Sequence, residues 1–440
     1  MKFEKPKNEN YCATVTEIKN IVPLENCDNI QGTIIFGNHV IVGKDVQIGN
    51  VGIYFPPETQ LSNEYLSENN LYRDATLNKD QTKKGYFEVN GRVRTAKLRG
   101  HQSCGIFMPL SSLQFTGLTE NDFKVGDIFD IIKDKRICNK YIIPQKQQPL
   151  PGSKKKRKRI KISKTIENQF RFHEDTLHLG KNIHRFSKND IVSITYKLHG
   201  TSVVISKVLC KKKLSFIEKL LKKFNINIVD NTYDNLYASR NVIKNDDMNG
   251  DEFVKHQGKN HYYKSDIWGL ANEKLQEYLL DGMTIYAEIV GFIPETGAYI
   301  QKGYDYGCNQ KEFEVYIYRI TYTNPSGNVF EFSWSQLTEW CKSRGLKHVP
   351  EYFYGNVNEL LNDVIYDKNL SFNDNLFNII KKRYVKEENC IMCNNPVPRE
   401  GVVVRREVLN FEAYKLKTFL FLDRETKQHD KGEEDIEEAN

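Results

Sequence analysis

The chain has 440 residues, room for about two to four domains, which excludes a single small module. Lys and Arg number 64 against 57 Asp and Glu, a net +7; Gln428 to Asn440 alone hold six acids and one Lys, so the rest carries 63 basic against 51 acidic residues, +12, and favours a polyanionic partner. The polar start and the lack of any run near the roughly 18 apolar residues of a membrane helix argue for a soluble intracellular protein with no membrane partner, and nine scattered cysteines, Cys12 to Cys393, read as reduced thiols.

Residues 1–150 read as short strands separated by turns, a pattern that predicts a small β-barrel. Thr33 to Phe36 and His39 to Val42 flank Gly37-Asn38, and Tyr86 to Val89 and Arg92 to Thr95 flank Asn90-Gly91, so each pair predicts a hairpin. From Arg92 to Gly100 the basic residues Arg92, Arg94, Lys97 and Arg99 switch from even to odd positions, which requires a bulge or break in a strand of period two. These four side chains form either a solvated edge or a phosphate-contacting surface.

Residues 151–165 follow as a linker. Ser153 to Lys164 holds eight basic residues and no acid, and reads as a solvated spacer, a nucleic-acid contact or, through Lys154 to Arg159, a nuclear-import signal. Residues 166–427 mix strands and helices. Lys211 to Asp230 predicts an amphipathic basic helix whose Leu214, Ile217, Leu221 and Phe224 stripe should pack on a core. Asn272 to Leu280, Gln336 to Ser343 and Val357 to Val364 predict further helices, Phe411 to Phe421 a strand, and residues 428–440 a disordered acidic tail.

The chemistry concentrates on strands. In Ile191 to Ser206, Val192, Ile194 and Tyr196 share one face, leaving Ser193, Thr195 and Lys197 on the other, with Lys197 at the strand end before His199-Gly200-Thr201. A Lys amine becomes a nucleophile once neighbouring cations or desolvation lower its pKa from about 10.4. Glu288 is a lone carboxylate inside the apolar run Thr284 to Gly291, and Glu400 stands at the mouth of another. Lys415 and Lys417 share one face, where an anion such as phosphate relieves their repulsion.

In order, Lys197, Glu288, Glu400 and Lys415-Leu416-Lys417 resemble the nucleotidyltransferase motifs of the polynucleotide ligase and capping-enzyme superfamily. His199, where DNA ligases and capping enzymes usually have Asp, is similar to the form in RNA ligase 2 and the RNA-editing ligases. Gly91 to Gly100 with Gly105-Ile106 resembles the OB module of the fifth RNA ligase family, and Phe172-His173-Glu174-Asp175-Thr176 is similar to an upstream segment of that group. The resemblance implies an α+β chain: an OB-like barrel followed by an adenylyltransferase domain, ATP-grasp-like, of antiparallel sheets with flanking helices. It implies an ATP-dependent RNA ligase with a lysyl-AMP at Lys197, acting on RNA 5′-phosphate and 3′-hydroxyl ends, nicked duplex included, with Mg2+ or Mn2+.

By the same resemblance Glu288 serves the ribose, Glu400 the metal, Lys415 and Lys417 the α-phosphate, Gly200 the close turn beside the nucleotide, and Arg240 the ribose and phosphates. From Phe313 to Tyr318 an aromatic is expected under adenine, and Phe313 is chosen. Cys390-Ile391-Met392-Cys393 lacks the second pair a structural zinc needs and is expected to line the approach to Glu400. A monomer is expected. The rival readings are a GTP-dependent capping-type guanylyltransferase, a DNA ligase, against which His199 and the N-terminal OB order speak, and a noncatalytic RNA-binding protein on the same fold.

Overall fold

A computed structural model describes residues 3–143, 162–248, 265–362 and 367–433. The N-terminal part is built on β1 (Ala13–Glu17), the hairpin β2 (Ile30–Ile35) and β3 (Asn38–Gly43), β4 (Val51–Phe55), the hairpin β5 (Thr95–Leu98) and β6 (His101–Cys104), β7 (Ile106–Pro109) and β8 (Ile128–Phe129). Apolar faces of β1 and β4 bury Val15, Ile53 and Phe55 against Leu61, Tyr65 and Leu113. The strands form a four-stranded sheet, order β7-β4-β1-β8, plus separate two-stranded ribbons, an OB-like sheet domain in which the ladders among the described residues do not close. The ladder stops because residues 62–94 run through a short helix and loops joined only by isolated bridges.

The first predicted hairpin is present. The second lies one turn later: Arg99 and Gly100 both take positive φ, 49° and 87°, and form the two-residue turn between β5 and β6, whereas Asn90-Gly91 ends an irregular segment. The break anticipated between Arg92 and Lys97 is where β5 begins.

The second part holds two five-stranded sheets. One, order β9-β18-β17-β10-β16, comprises β9 (Leu177–His178), β10 (Ile191–Lys197), β16 (Glu351–Asn356), β17 (Gly401–Arg406) and β18 (Glu412–Lys417). The other, order β12-β11-β13-β14-β15, comprises β11 (Thr201–Lys211), β12 (Asn231–Ala238), β13 (Met283–Gly291), β14 (Phe313–Thr323) and β15 (Val329–Glu331). Ladders within the second sheet are antiparallel, and Ile205, Ile285 and Ile317 pack with Trp268 and Trp334 to form its core. Helices Ile267–Leu275, Trp334–Lys342, Val357–Leu361 and Phe372–Tyr384 flank the sheets, the first three close to where the three predicted helices stood. No helix among the described residues is long and apolar enough to cross a membrane.

Three expectations change. Lys211 belongs to β11, and the basic helix covers only Phe216–Lys223; none of its residues is buried, and Phe216 and Phe224 are exposed. A Ser215–Glu218 capping box and surface ion pairs order it, but its apolar stripe meets no core. Phe411 to Phe421 is a strand only through Lys417, after which Thr418 caps a helix, Phe419–Asp430, that enters the tail assigned to residues 428–440. The basic linker lies outside the described residues up to 161, and Lys164 and Thr165 dock on the second sheet through Lys211 and Cys210.

The same C-terminal helix ties the two parts together. Glu58 accepts two hydrogen bonds from Arg92 at 2.7 Å, one from Thr426 at 3.0 Å, and contacts His429 at 2.6 Å. Arg92 also reaches Asp430 and the Thr426 carbonyl. Arg92 is therefore committed to this buried seam rather than to an RNA-facing surface.

Candidate active site

Strand register assembles the site. Lys197 lies opposite Gly401, and Gly401 opposite Lys417, so the nucleophile candidate and one cation of the pair sit in one row across three strands. Gly401 takes φ +148°, and a Cβ there would come within 2.0 Å of the Leu416 carbonyl; a side chain would force the strands apart. Glu400, immediately before it, is fixed by its backbone: its carbonyl accepts the Thr418 N–H at 2.9 Å, and the preceding Arg399 is clamped by Glu388, Tyr352 and the Tyr384 carbonyl.

Glu400 Oε1 stands 2.8 Å from Lys197 Nζ and 3.5 Å from Lys417 Nζ. Lys417 also pairs with Glu425 of the C-terminal helix at 2.9 Å, and although burial pushes its ammonium down, Glu425 and Glu400 together hold it well above the usual Lys value. Lys415 differs. Burial lowers it to about 8, and Lys417 and Lys197 push in the same direction. Lys415 is the cation of this cluster that most needs an anion.

Glu288 faces Ser202 across β11 and β13, and its Oε1 accepts the Gly200 N–H at 2.9 Å. A Cβ on Gly200 would meet the Ile289 carbonyl at 2.2 Å, so this glycine serves the close approach of the turn to β13. The His199 ring is sandwiched edge-on by Tyr304 and Phe421, and the His199 backbone N–H donates to the Tyr306 hydroxyl at 2.6 Å. That aromatic packing is a reason for a histidine at this position.

Two clefts meet at Lys197. One, about 720 Å3, is lined by Ser193, Thr195, Glu288, Tyr318, Trp334 and Phe411; the other, about 560 Å3, by Asp175, Arg240, Glu400, Lys415, Lys417 and Glu425, and Lys197, His173 and Thr176 belong to both. Ser193 and Thr195 do share the outward face with Lys197, as alternation predicted. Arg240 comes to the cationic cleft and pairs with Asp175, whose carboxyl burial would raise but Arg240, Lys415 and His173 bring below its usual value.

Phe313 does not come to either cleft. It pairs with Gly291 at the far end of the ladder, under the Lys274 ammonium at 3.9 Å from the ring centre, so the aromatic expectation is corrected: Tyr318, five residues on, is the residue of that strand in the aromatic cleft, hydrogen-bonded to His173 at 2.9 Å. Arg94 contacts Asp430 at 3.5 Å, Lys97 lies over the Phe419 ring, and Arg99 donates to the Asn26 carbonyl; Lys97 and Arg99 are exposed. Asn10, Tyr11 and Lys140 of the N-terminal part also line the cationic cleft and carried no sequence signal.

Glu400 Oε2 is buried and has no hydrogen-bond partner among the described residues. An orphaned carboxylate oxygen suits a hard cation. No group of three or more His, Cys, Asp or Glu side chains among the described residues is arranged to hold an ion, so a cation at Glu400 would draw its other ligands from substrate oxygens and water.

A family model described as RNA ligase matches residues 190–418, more than half of the chain and every residue of the Lys197–Glu288–Glu400–Lys417 set. The chain belongs to the RNA ligase family. A model described as an OB-fold domain matches residues 12–110 of this RNA ligase. No curated protein matches it. Among solved structures it is similar to a Naegleria gruberi RNA ligase with AMP and Mn, at 16% identity and a TM-score of 0.53, over 94% of this chain and 98% of that one. It is similar to the same organism's ligase with ATP and Mn, at 16% identity and 0.55, over 95% and 99%, and with PPi, at 15% and 0.53, over 96% and 99%. At such identity the likeness is one of fold, and it spans both parts of this RNA ligase.

Proposed function

We propose that this RNA ligase uses ATP to seal RNA 3′-hydroxyl and 5′-phosphate ends through a lysyl-AMP at Lys197. The observation that carries the reading is Lys197 at the junction of an aromatic cleft and a cationic one, a shape suited to a nucleoside on one side and its phosphates on the other. The ATP and Mn held by the similar Naegleria ligase support the same assignment.

In the first step the neutral Lys197 amine attacks the α-phosphorus; an N–P bond forms, the bond to pyrophosphate breaks, and the amine loses its proton. Lys415 and Lys417 grip the α-phosphate and stabilise charge as it develops. Glu288 holds the ribose side of the cleft while steadying the Gly200 turn, and Tyr318 offers its ring to adenine. Arg240, held by Asp175, reaches the phosphates. Glu400 would hold a divalent cation, which would add positive charge to the site when bound.

In the second step an oxygen of the RNA 5′-phosphate attacks the adenylate phosphorus, and Lys197 leaves and regains a proton. In the third, the 3′-hydroxyl attacks the activated 5′-phosphorus and AMP departs. Each is a displacement at phosphorus, where positioning dominates the catalytic contribution. The substrate class includes nicked duplex, with Lys97 and Arg99 offering exposed cations to the strand.

The test is to offer a 5′-phosphorylated RNA with a 3′-hydroxyl end, with ATP or GTP and a divalent cation. Sealing with ATP supports the proposal; sealing of DNA 3′ ends alone, or nucleotide transfer from GTP alone, contradicts it.

A further inference from the structure

The Cys390-x-x-Cys393 segment is not used by the chemistry above. It packs in the apolar cluster that holds Tyr196, Tyr304 and Tyr306. Its turn is closed at both levels: Cys390 N–H donates to Val397 O at 2.7 Å, and Cys393 N–H to Cys390 O at 3.4 Å. Such an i to i+3 turn holds the two Cα atoms within about 7 Å, and disulfides span about 4.4–6.8 Å. Cys390 is buried, Cys393 is half-buried, and Ile391 between them is exposed. The turn therefore meets solvent on one side and the active-site strands on the other.

The two thiols also interact. The neighbouring Cys393 thiol, with Tyr196 and the backbone of Met392 and Cys393 close by, brings the Cys390 thiol down to about 6 despite burial. By contrast burial pushes up the thiols of Cys12, Cys104, Cys138, Cys210 and Cys341, which holds them protonated and inert.

We propose that Cys390 and Cys393 form a reversible dithiol–disulfide pair, oxidised by hydrogen peroxide, and that closing this disulfide slows adenylylation of Lys197. Cys390 sulfur attacks one peroxide oxygen, the O–O bond breaks, and water leaves, giving a Cys390 sulfenic acid. Cys393 sulfur then attacks Cys390 sulfur and expels a second water as the S–S bond forms; two thiols are oxidised and one peroxide is reduced. The link to activity runs through two tyrosines. Tyr196 precedes Lys197 in β10 and lies near Cys390, and Tyr306, whose backbone meets the Cys393 thiol, accepts the His199 backbone N–H at its hydroxyl. Tying the sulfurs together shifts the turn against Tyr196 and the Tyr306 backbone and displaces the Lys197 to Gly200 turn, where small misplacements are costly.

The chemical half stands independently of the ligase reading; the effect on adenylylation rests on it. The full chain is treated with hydrogen peroxide and mapped by peptide mass without reduction. The expected result is loss of two hydrogens from the peptide carrying both cysteines, restored by dithiothreitol, and a dimedone adduct on Cys390 in Cys393→Ser. A peptide that stays reduced, a disulfide formed by other cysteines instead, or a Cys390 that takes up no dimedone overturns the pair. Adenylate labelling of the wild type should fall on oxidation and recover on reduction, while the Cys390→Ser, Cys393→Ser double variant resists peroxide. A disulfide-bonded wild type that labels at full rate, or a double variant that loses labelling equally, overturns the regulatory half.

Discussion

Two buried charge clusters, one at the seam between the parts and one in the nucleotide cleft, are built from the same residue types and end differently. At the seam, Glu58 has both oxygens engaged by Arg92, Thr426 and His429, and Arg92 is itself satisfied by Asp430 and a carbonyl. In the cleft, Glu400 Oε2 has no partner among the described residues and Lys415 is driven down by burial and by its cationic neighbours. A closed cluster stabilises a domain contact; an open one awaits a ligand. Charge density alone does not separate them, but satisfaction does.

Breaking the seam should have the largest effect on stability. Glu58→Ala leaves the Arg92 guanidinium buried without this carboxylate and should cost about 3–5 kcal/mol in denaturant unfolding, while adenylate labelling of the folded fraction persists. The seam also sets a pH window. Burial would raise Glu58, but His429 and Arg92 bring it below its ordinary value of 4.5, so its contribution is present above that value and lost as pH falls through the folded pKa. Burial would lower His429, but Glu58 raises it above 6.5, so its contribution is full below that value and lost as pH rises through the folded pKa. Melting curves should place the excess stability of wild type over His429→Gln at its greatest between 4.5 and 6.5.

The open cluster should respond in activity instead. Lys415→Met should slow adenylylation by about 10²–10³, the scale of removing one charge-stabilising donor, with little loss of stability. In the wild type, ATP affinity should fall as pH rises through about 8, where Lys415 loses its charge, and Lys415→Arg should move that limb to higher pH. The stability sign is opposite: folding depresses this amine from 10.5, so the unfolded chain binds more protons between about 8 and 10.5, and the contribution to stability grows with pH across that window. A pH-independent affinity would return Lys415 to a structural role. A smaller effect separates two aromatics of one strand: Tyr318→Ala should weaken ATP binding about tenfold, the upper end of a stacking contribution, whereas Phe313→Ala should leave ATP affinity unchanged.

The cleft was more legible than the seam because its residues obey local rules. Alternation alone placed Lys197 with Ser193 and Thr195, and Lys415 with Lys417, and the order of motifs brought Glu288 and Glu400 to them. Arg92 was misread because its carboxylate, Glu58, and the helix bearing Thr426 and His429 lie far off in sequence, and a basic residue without visible partners reads as free. Tyr318 was missed because both faces of β14 carry aromatics and only the packing of His173 against one of them identifies the cleft side. The basic helix was misjudged because its periodicity reports an apolar face but not whether another element covers it.

The most direct test of the account is to incubate the protein with α-labelled ATP and a divalent cation, digest it, and locate the label. The account predicts one adenylate on Lys197, stable to alkali and released by acid as a phosphoramidate should be, and absent from Lys197→Ala. Label on any other residue, or an equal adduct in Lys197→Ala, would contradict it.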